Sequence, residues 1–205
     1  MHLDAVRAAV GGIVVPRLRR SLDQLGAVVS VEATGPEVRV RLALPEGVVS
    51  PADLESVVAA AARKAGAAGA AVELRALDSD AQDVLAAALR AGGPSRPGGP
   101  GSRTRVLCVA SGKGGVGKSS VTANVAVALA RAGRDVAVLD ADVWGFSIPR
   151  LLGVTEPPAV LGGMILPAAA HGVRVISMDF FVPPDQAVIW RGPMLHKALE
   201  QFLDE

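Results

Sequence analysis

Two different hydrophobic patterns divide the chain. Before residue 92 apolar positions alternate with polar ones or recur at helical spacing, and the alternation is clearest over 37–43. Strict alternation is typical of a strand that buries one face. After residue 103 the strand-like runs, 106–110 and 136–139, are continuously apolar, as expected for parallel strands buried on both faces. The pattern predicts a small α+β domain followed by an α/β domain.

The first half shows alternating helix and strand signals. Strands are predicted at 27–33, 37–43 and 71–75, and Thr34-Gly-Pro between the first two indicates a hairpin. Helices are predicted at about 3–20 and 51–65, the second with Ser50 as N-cap and Pro51 as its first residue. This half contains no cysteine, no paired catalytic carboxylates and no glycine-rich loop, which favours an accessory role.

A linker separates the halves. Residues 92–102 consist of glycine, proline and serine except for Arg96, a composition that forms neither a helix nor a strand interior. The predicted organisation is therefore a domain at 1–91, a linker at 92–103 and a second domain at 104–205.

Composition excludes several classes of protein. The 21 basic and 20 acidic residues are mixed along the chain, which suits neither nucleic acid nor an anionic membrane surface. No apolar run approaches the roughly 18 residues that span a bilayer, and no signal-peptide pattern precedes the first helix. The single cysteine, Cys108, lies in the first apolar run and is expected in the core. We expect a soluble, cytoplasmic protein.

The second half begins as a β-α-β unit. Between its two continuous runs a set of apolar residues recurs at helical spacing, and Gly133 follows as a C-terminal cap. The residues predicted to form the buried face of this helix are Val121, Val125, Ala128, Leu129 and Ala132. The turn from strand to helix is where phosphate-binding loops occur.

A glycine-rich loop occupies that turn. Residues 112–119 read Gly-Lys-Gly-Gly-Val-Gly-Lys-Ser and satisfy G-x-x-x-x-G-K-[ST]. Such glycines let successive N–H groups and the helix N-terminus face a polyphosphate. Lys118 is placed to form ion pairs with oxygens of the β- and γ-phosphates, and the Ser119 hydroxyl is placed to coordinate Mg²⁺. The residues predicted to bind ATP are Gly112, Lys113, Gly114, Gly115, Val116, Gly117, Lys118, Ser119 and Ser120.

Two carboxylates, Asp140 and Asp142, follow the second continuous run. Ligands of open α/β sheets bind at the carboxyl ends of the strands, so both are expected beside the loop. Asp140 has two interpretations, because an aspartate at the end of a strand also commonly binds backbone N–H groups.

Lys113 assigns the loop to a particular group. The sequence K-G-G-x-G-K-[ST] resembles the deviant Walker A ATPases related to ParA, MinD, the nitrogenase iron protein and Mrp. The resemblance implies that Lys113 reaches the partner's phosphates across a homodimer, that Asp142 orients the attacking water, and that Asp140 lies near the Mg²⁺ shell. Lys113, Lys118 and Asp142 would then be the catalytic residues. A solvated loop lysine is the alternative for Lys113.

Later segments narrow the resemblance. Residues 140–153, 163–167, 171–178 and 190–202 are similar to the Mrp/ApbC family of iron–sulfur cluster carrier ATPases, and the similarity covers about 104–205. It implies a P-loop ATPase that takes clusters from donors and transfers them to apoproteins. The first half resembles the accessory domain of many Mrp proteins, but lacks that domain's Asp-Pro-Glu turn and Cys-Pro pair.

Two motifs of that family do not occur. The chain contains neither D-x-P-P-G-T-G-D nor the C-x-x-C pair that holds a bridging cluster, so we expect no iron–sulfur ligands in it and interpret it as truncated after Glu205. Two other functions remain open: a nucleotide-binding regulatory or scaffold module without turnover, and a ParA/MinD-like positioning ATPase.

Overall fold

A computed structural model describes residues 2–91, 97, 99, 101–142, 145–181 and 192–204. The chain forms two compact units, the first made of residues 1–87 with 159–166 and the second of 88–158 with 167–205. Most of the predicted linker, together with Trp144 and Trp190, lies outside the described residues. The predicted division into two domains and a linker remains a prediction. It assigns residues 159–166 to the second domain, whereas they belong to the first compact unit.

The first unit is built on a three-stranded sheet. Its strands are β3 (Val28–Thr34), β4 (Glu37–Leu44) and β5 (Ala70–Ala76), and they follow a two-residue pair, β1 (Val14–Val15) and β2 (Arg20–Ser21). β4 pairs antiparallel with β3 and parallel with β5. The helices are α1 (Leu3–Gly11), α2 (Pro51–Lys64) and α3 (Ser79–Ala91). The predicted hairpin, third strand and second helix are confirmed.

Two predictions for this unit were wrong or incomplete. The first helix was expected to reach residue 20 but ends at Gly11, with Gly12 as its C-cap. Consecutive glycines weaken a helix, and Pro16 prevents it from continuing through that position. Arg19 then adopts a left-handed φ of 52°. α3 was not predicted. Its first turn is held by Asp78, whose Oδ1 accepts the Ala81 N–H at 2.9 Å.

The alternation of β4 separates a buried face from an open one. Val38, Val40, Leu42 and Leu44 are all buried, together with apolar residues of α1 and α2 that supply the other side of this core. The residues that α1 and α2 contribute are Val6, Val10, Leu54, Val58 and Ala62. Burial of each such side chain stabilises the fold by about 1.5–3 kcal/mol.

The open face of the sheet carries alternating charges. Arg41 donates to Glu73 at 2.9 Å and to Glu32 at 3.0 Å, and Arg39 lies 3.3 Å from Glu73. The hydrogen bond from Arg41 lowers the pKa of the Glu73 carboxyl. The groups are exposed to solvent, so this ladder contributes little to stability.

The second unit contains a smaller mixed sheet. β6 (Val136–Asp140) pairs parallel with β10 (Val173–Ser177), and β10 pairs antiparallel with β9 (Ala168–Ala170). α4 (Lys118–Arg131) and the short α5 (Ile148–Leu151) pack on it, and a 3-10 turn (Met178–Phe181) and α6 (Gly192–Asp204) follow. Gly133, with φ 77°, lies just past α4 as predicted. The parallel pairing of β6 with β10 agrees with the predicted α/β class.

The predicted first strand of this unit is wrong. Residues 106–110 have no secondary structure and are exposed, and Cys108 is exposed rather than in the core. In the described part of the chain, the strands that pair in this sheet are β6, β9 and β10. Without pairing, the backbone N–H and C=O groups of 106–110 are left to water. The apolar face of α4 changes accordingly: Ala123 and Ala126 are buried, while Val121 and Val125 are 53% and 42% exposed.

None of the described helices is both long and apolar enough to cross a bilayer.

The position of Cys108 is directly testable. Because the thiol is exposed, we expect a disulfide reagent such as Ellman's reagent to titrate it fully in native buffer, at a rate within about tenfold of the rate in guanidinium chloride. Cys108→Ser is the control and should give no signal, since the chain has one cysteine. A thiol that reacts only after denaturation would place residues 106–110 in the core.

Candidate functional site

The glycine-rich loop ends directly at the first residue of α4. Gly115 and Gly117 have φ values of 72° and 90°, which side-chain-bearing residues adopt only under strain. A Cβ built on Gly112, Gly114, Gly115 or Gly117 would meet nothing within 4 Å. The structure therefore requires glycine at 115 and 117 for backbone conformation, whereas a need for glycine at 112 and 114 would arise only against a bound ligand.

A local hydrogen-bond pair shapes the start of the loop. The Ser111 hydroxyl accepts the Lys113 N–H at 3.1 Å and lies 3.2 Å from the Lys113 carbonyl oxygen, to which it donates. The side chains of Lys113 and Val116 are exposed. The turn thus keeps the Lys113 backbone in place while its ammonium group lies in solvent.

The N-terminus of α4 faces this loop. Lys118 is its first residue, and the Val121 N–H donates to the Gly117 carbonyl at 2.9 Å as the first helical bond. The backbone N–H groups before Val121 have no acceptor within the helix and carry the positive end of its dipole. Lys118 and Ser119 are half-buried and Ser120 is exposed, so this turn presents both N–H groups and side chains to an anion.

Asp140 ends β6 and is almost fully buried, with 6% of its surface exposed. Its Oδ1 accepts the Asp142 N–H at 3.2 Å and its Oδ2 accepts the Ile148 N–H at 3.3 Å. Burial raises the pKa of the Asp140 carboxyl, and the two N–H donors offset part of that rise. Asp140 therefore organises the turn from β6 into α5, which is the capping role considered as its alternative.

Asp142 forms an ion pair with Lys118, the last lysine of the glycine-rich loop. Its Oδ2 lies 3.5 Å from Lys118 Nζ, and the two side chains are 37% and 27% exposed. A partly exposed pair at this distance is weak, so phosphate oxygens could draw the lysine away. Of the residues predicted from the sequence to act in catalysis, the structure brings these two together.

Ser177 is a residue of the site that the sequence reasoning did not single out. It is paired in register with Asp140 at the carboxyl ends of β10 and β6, and it is fully buried. Its hydroxyl accepts the Asp179 N–H at 3.2 Å. The sequence did contain a signal for it, because Ser177 is a polar residue at the end of the apolar run that forms β10. Neighbouring parallel strands bring their carboxyl ends to one edge of the sheet, where ligands bind.

The donor atoms near the loop are suited to Mg²⁺. Ser119 offers a hydroxyl and Asp140 a carboxylate, the oxygen ligands that this ion prefers. Each Asp140 oxygen that accepts an N–H group keeps a second lone pair, so capping does not prevent coordination. Within the described ranges, no group of three or more His, Cys, Asp or Glu residues is arranged to hold a metal ion, so a magnesium ion here would share its ligands with phosphate oxygens and water.

The chain is similar to proteins of one known family. A ParA family model, described as NUBPL iron-transfer P-loop NTPase, matches residues 102–205. A Mycobacterium tuberculosis protein named iron-sulfur cluster carrier protein is 44% identical over 97% of this chain and 54% of its own length. Proteins of the same name from Bacillus subtilis and Deinococcus radiodurans are 36% and 38% identical over 98% of this chain, and 58% and 55% of their own lengths.

The chain spans about half the length of these relatives. The family match covers the loop, both aspartates and Ser177, and the relatives extend the similarity through the first half. On these grounds, the chain belongs to the ParA-type family of iron-transfer P-loop NTPases.

Proposed function

We propose that this chain is the nucleotide-binding part of an ATP-hydrolysing iron–sulfur cluster carrier that works as a homodimer. The observation that carries the proposal is the approach of Lys118, at the N-terminus of α4, to Asp142 at the carboxyl edge of the sheet. A lysine can neutralise phosphate charge and an aspartate can orient a water molecule. Phosphoryl transfer to water needs both groups close to the γ-phosphate.

The residues suggest how ATP would be held. The β- and γ-phosphates would lie against the N–H groups that begin α4, and Lys118 would exchange Asp142 for phosphate oxygens. Ser119 and Asp140 would hold Mg²⁺, which supplies charge neutralisation when bound. The distance of 3.5 Å between Lys118 Nζ and Asp142 Oδ2 supports this placement, because Asp142 follows the strand β6 at its carboxyl end.

Once Lys118 has moved to phosphate oxygens, the Asp142 carboxylate would orient the attacking water. In hydrolysis that water attacks the γ-phosphorus, the bond to the β-γ bridging oxygen breaks, and ADP and phosphate leave. Lys113 is exposed, which suits a role toward the nucleotide of a second protomer, as an arginine finger acts in trans. The chemistry then depends on positioning and electrostatics rather than on a covalent intermediate.

The cargo is inferred from the relatives' name. Proteins similar to this chain are called iron-sulfur cluster carrier protein, and we extend to it a role in receiving clusters from donors and passing them to apoproteins in the cytoplasm. Mixed surface charge favours neither nucleic acid nor membrane as a partner.

A nucleotide-binding module without turnover is the second candidate. The observation that favours it is the burial of Asp140, which is 6% exposed and binds two backbone N–H groups, the contacts of a structural cap. Steady-state ATPase activity of this chain distinguishes the two candidates, since only the first predicts Mg²⁺-dependent phosphate release. A ParA/MinD-like positioning role would instead require a basic or amphipathic binding face.

Lys118→Ala should weaken ATP affinity by about 10- to 100-fold, because charge-assisted contacts with phosphate are lost. Isothermal titration calorimetry with MgATP measures the change. Lys64→Ala is the matched control, since it removes an exposed lysine at the end of α2. Equal affinity in Lys118→Ala and the parent chain would contradict the P-loop assignment.

Lys113→Ala should leave ATP affinity within about threefold of the parent, yet reduce both ATP turnover and nucleotide-dependent dimerisation. The reason is that its proposed target is the nucleotide of the other protomer. Sedimentation velocity with a non-hydrolysable analogue measures the dimer fraction, and Lys118→Ala shows the result of lost binding. A mutant that dimerises as well as the parent would count against the trans role.

Anaerobic reconstitution with iron and sulfide should give this chain no stable cluster. Clusters are held by several ligands, usually Cys thiolates, and each chain supplies one cysteine. Because Cys108 is exposed, the expectation rests on the number of thiols and not on their burial. A stoichiometric cluster absorbance in the parent that disappears in Cys108→Ser would overturn it.

A further inference from the structure

The hairpin formed by β7 (Ala159–Leu161) and β8 (Met164–Leu166) belongs to the first compact unit, although the chain on either side of it belongs to the second. The two strands pair antiparallel, with Ala159 opposite Leu166 and Leu161 opposite Met164. The first unit is therefore assembled from two separate stretches of the chain, 1–87 and 159–166.

One face of the hairpin is apolar and buried. Leu161 is fully buried, and Ala159, Met164 and Leu166 are at most 9% exposed. Val160, on the opposite face of the same strand, is 64% exposed. An isolated two-stranded hairpin is marginally stable in water, so burial of this face is its main source of stability.

The turn of the hairpin fits closely against α3. A Cβ built on Gly162 would lie 2.8 Å from the Ala86 Cβ and 2.9 Å from Asp83 Oδ1, and Ala86 is the buried residue of α3. At the next position, Gly163, a Cβ would meet nothing within 4 Å. Both glycines have positive φ, 50° and 74°. An alanine at either position would therefore carry similar backbone strain, but only at Gly162 would it also collide with α3.

A second contact lies at the start of the hairpin. A Cβ built on Gly47, in the loop before α2, would lie 3.4 Å from the Ala159 Cβ. The hairpin is thus in contact both with α3 at its turn and with the loop after β4 at its base. The contacts involve two separate segments of the first stretch, as expected of a docked element rather than a chance touch.

We propose that the β7–β8 hairpin is a docking element that completes the N-terminal unit, with residues 2–87 as its partner surface. The segment 145–158, which leads into the hairpin, begins beside Asp142 and contains Ile148, whose N–H is bound by Asp140. Along the chain, the hairpin is continuous with second-unit residues at both of its ends, 158 and 167. This inference does not depend on ATP hydrolysis or on any cargo.

The test uses the full chain with a specific protease site inserted at residue 97, in the Gly/Pro/Ser segment. After complete cleavage, the fragments that carry residues 1–91 and 104–205 should elute together in size-exclusion chromatography at micromolar concentration. Separation of the two fragments of the parent chain, each still folded by circular dichroism, would overturn the proposal.

The paired glycines give a matched comparison. Gly162→Ala should raise the dissociation constant of the cleaved fragments at least about tenfold over that of Gly163→Ala, because only at Gly162 does the new methyl group collide with α3. Equal constants for the two variants would show that the contact with α3 does not hold the fragments together.

A second pair tests the buried face independently. Leu161→Asp should abolish co-elution, whereas Val160→Asp on the exposed face should keep it. If Leu161→Asp fails to fold, the glycine pair still decides. Co-elution of folded Leu161→Asp fragments would contradict the proposal, as would separation in Val160→Asp.

Discussion

The parallel pairing of β6 with β10 determines where the polar groups of the site lie. Its register sets Ser177 beside Asp140 at the carboxyl ends of both strands, and the chain must then turn over the edge of the sheet toward α5. The two Asp140 oxygens bind that turn through the N–H groups of Asp142 and Ile148. A shift of one residue in the pairing would exchange the faces of the strand and remove Asp140 from the edge.

Two positively charged groups and one negatively charged group lie close together in the site. The first turn of α4 and the Lys118 ammonium group lie on one side, and Asp142 lies 3.5 Å from that ammonium on the other. The pair is partly exposed, so a ligand with several charged oxygens competes well against a single carboxylate. The Lys118 ammonium is therefore already in place beside the start of α4, while its carboxylate partner is one that ligand oxygens can replace.

Local signals in the sequence were sufficient for much of this arrangement. The spacing of glycines with Lys118 and Ser119 located the loop, Gly133 located the end of α4, and the run before Asp140 located β6. Each depends on a backbone conformation or a burial pattern that a few neighbouring residues determine. The alternation of β4 likewise identified the buried face of the first sheet.

Features that depend on distant partners could not be predicted in this way. Residues 106–110 have the apolar pattern of a buried strand, but pairing requires a neighbour elsewhere in the chain, and apolar pattern alone does not supply one. Ser177 gains its position from its register with Asp140. The burial of Leu161 depends on the first unit, far away in sequence, and α3 has a single buried residue, Ala86, which gave little periodic signal.

The side chains left in water beside the P-loop affect how the protein behaves in solution. Val106, Leu107 and Val109 are 58%, 70% and 44% exposed, close in sequence to the half-exposed valines of α4. With a net charge of +1, long-range repulsion between molecules is weak. Sulfate and other strongly hydrated salts strengthen apolar association, so solubility should fall as such salts are added, and mild chaotropes should keep the chain dispersed.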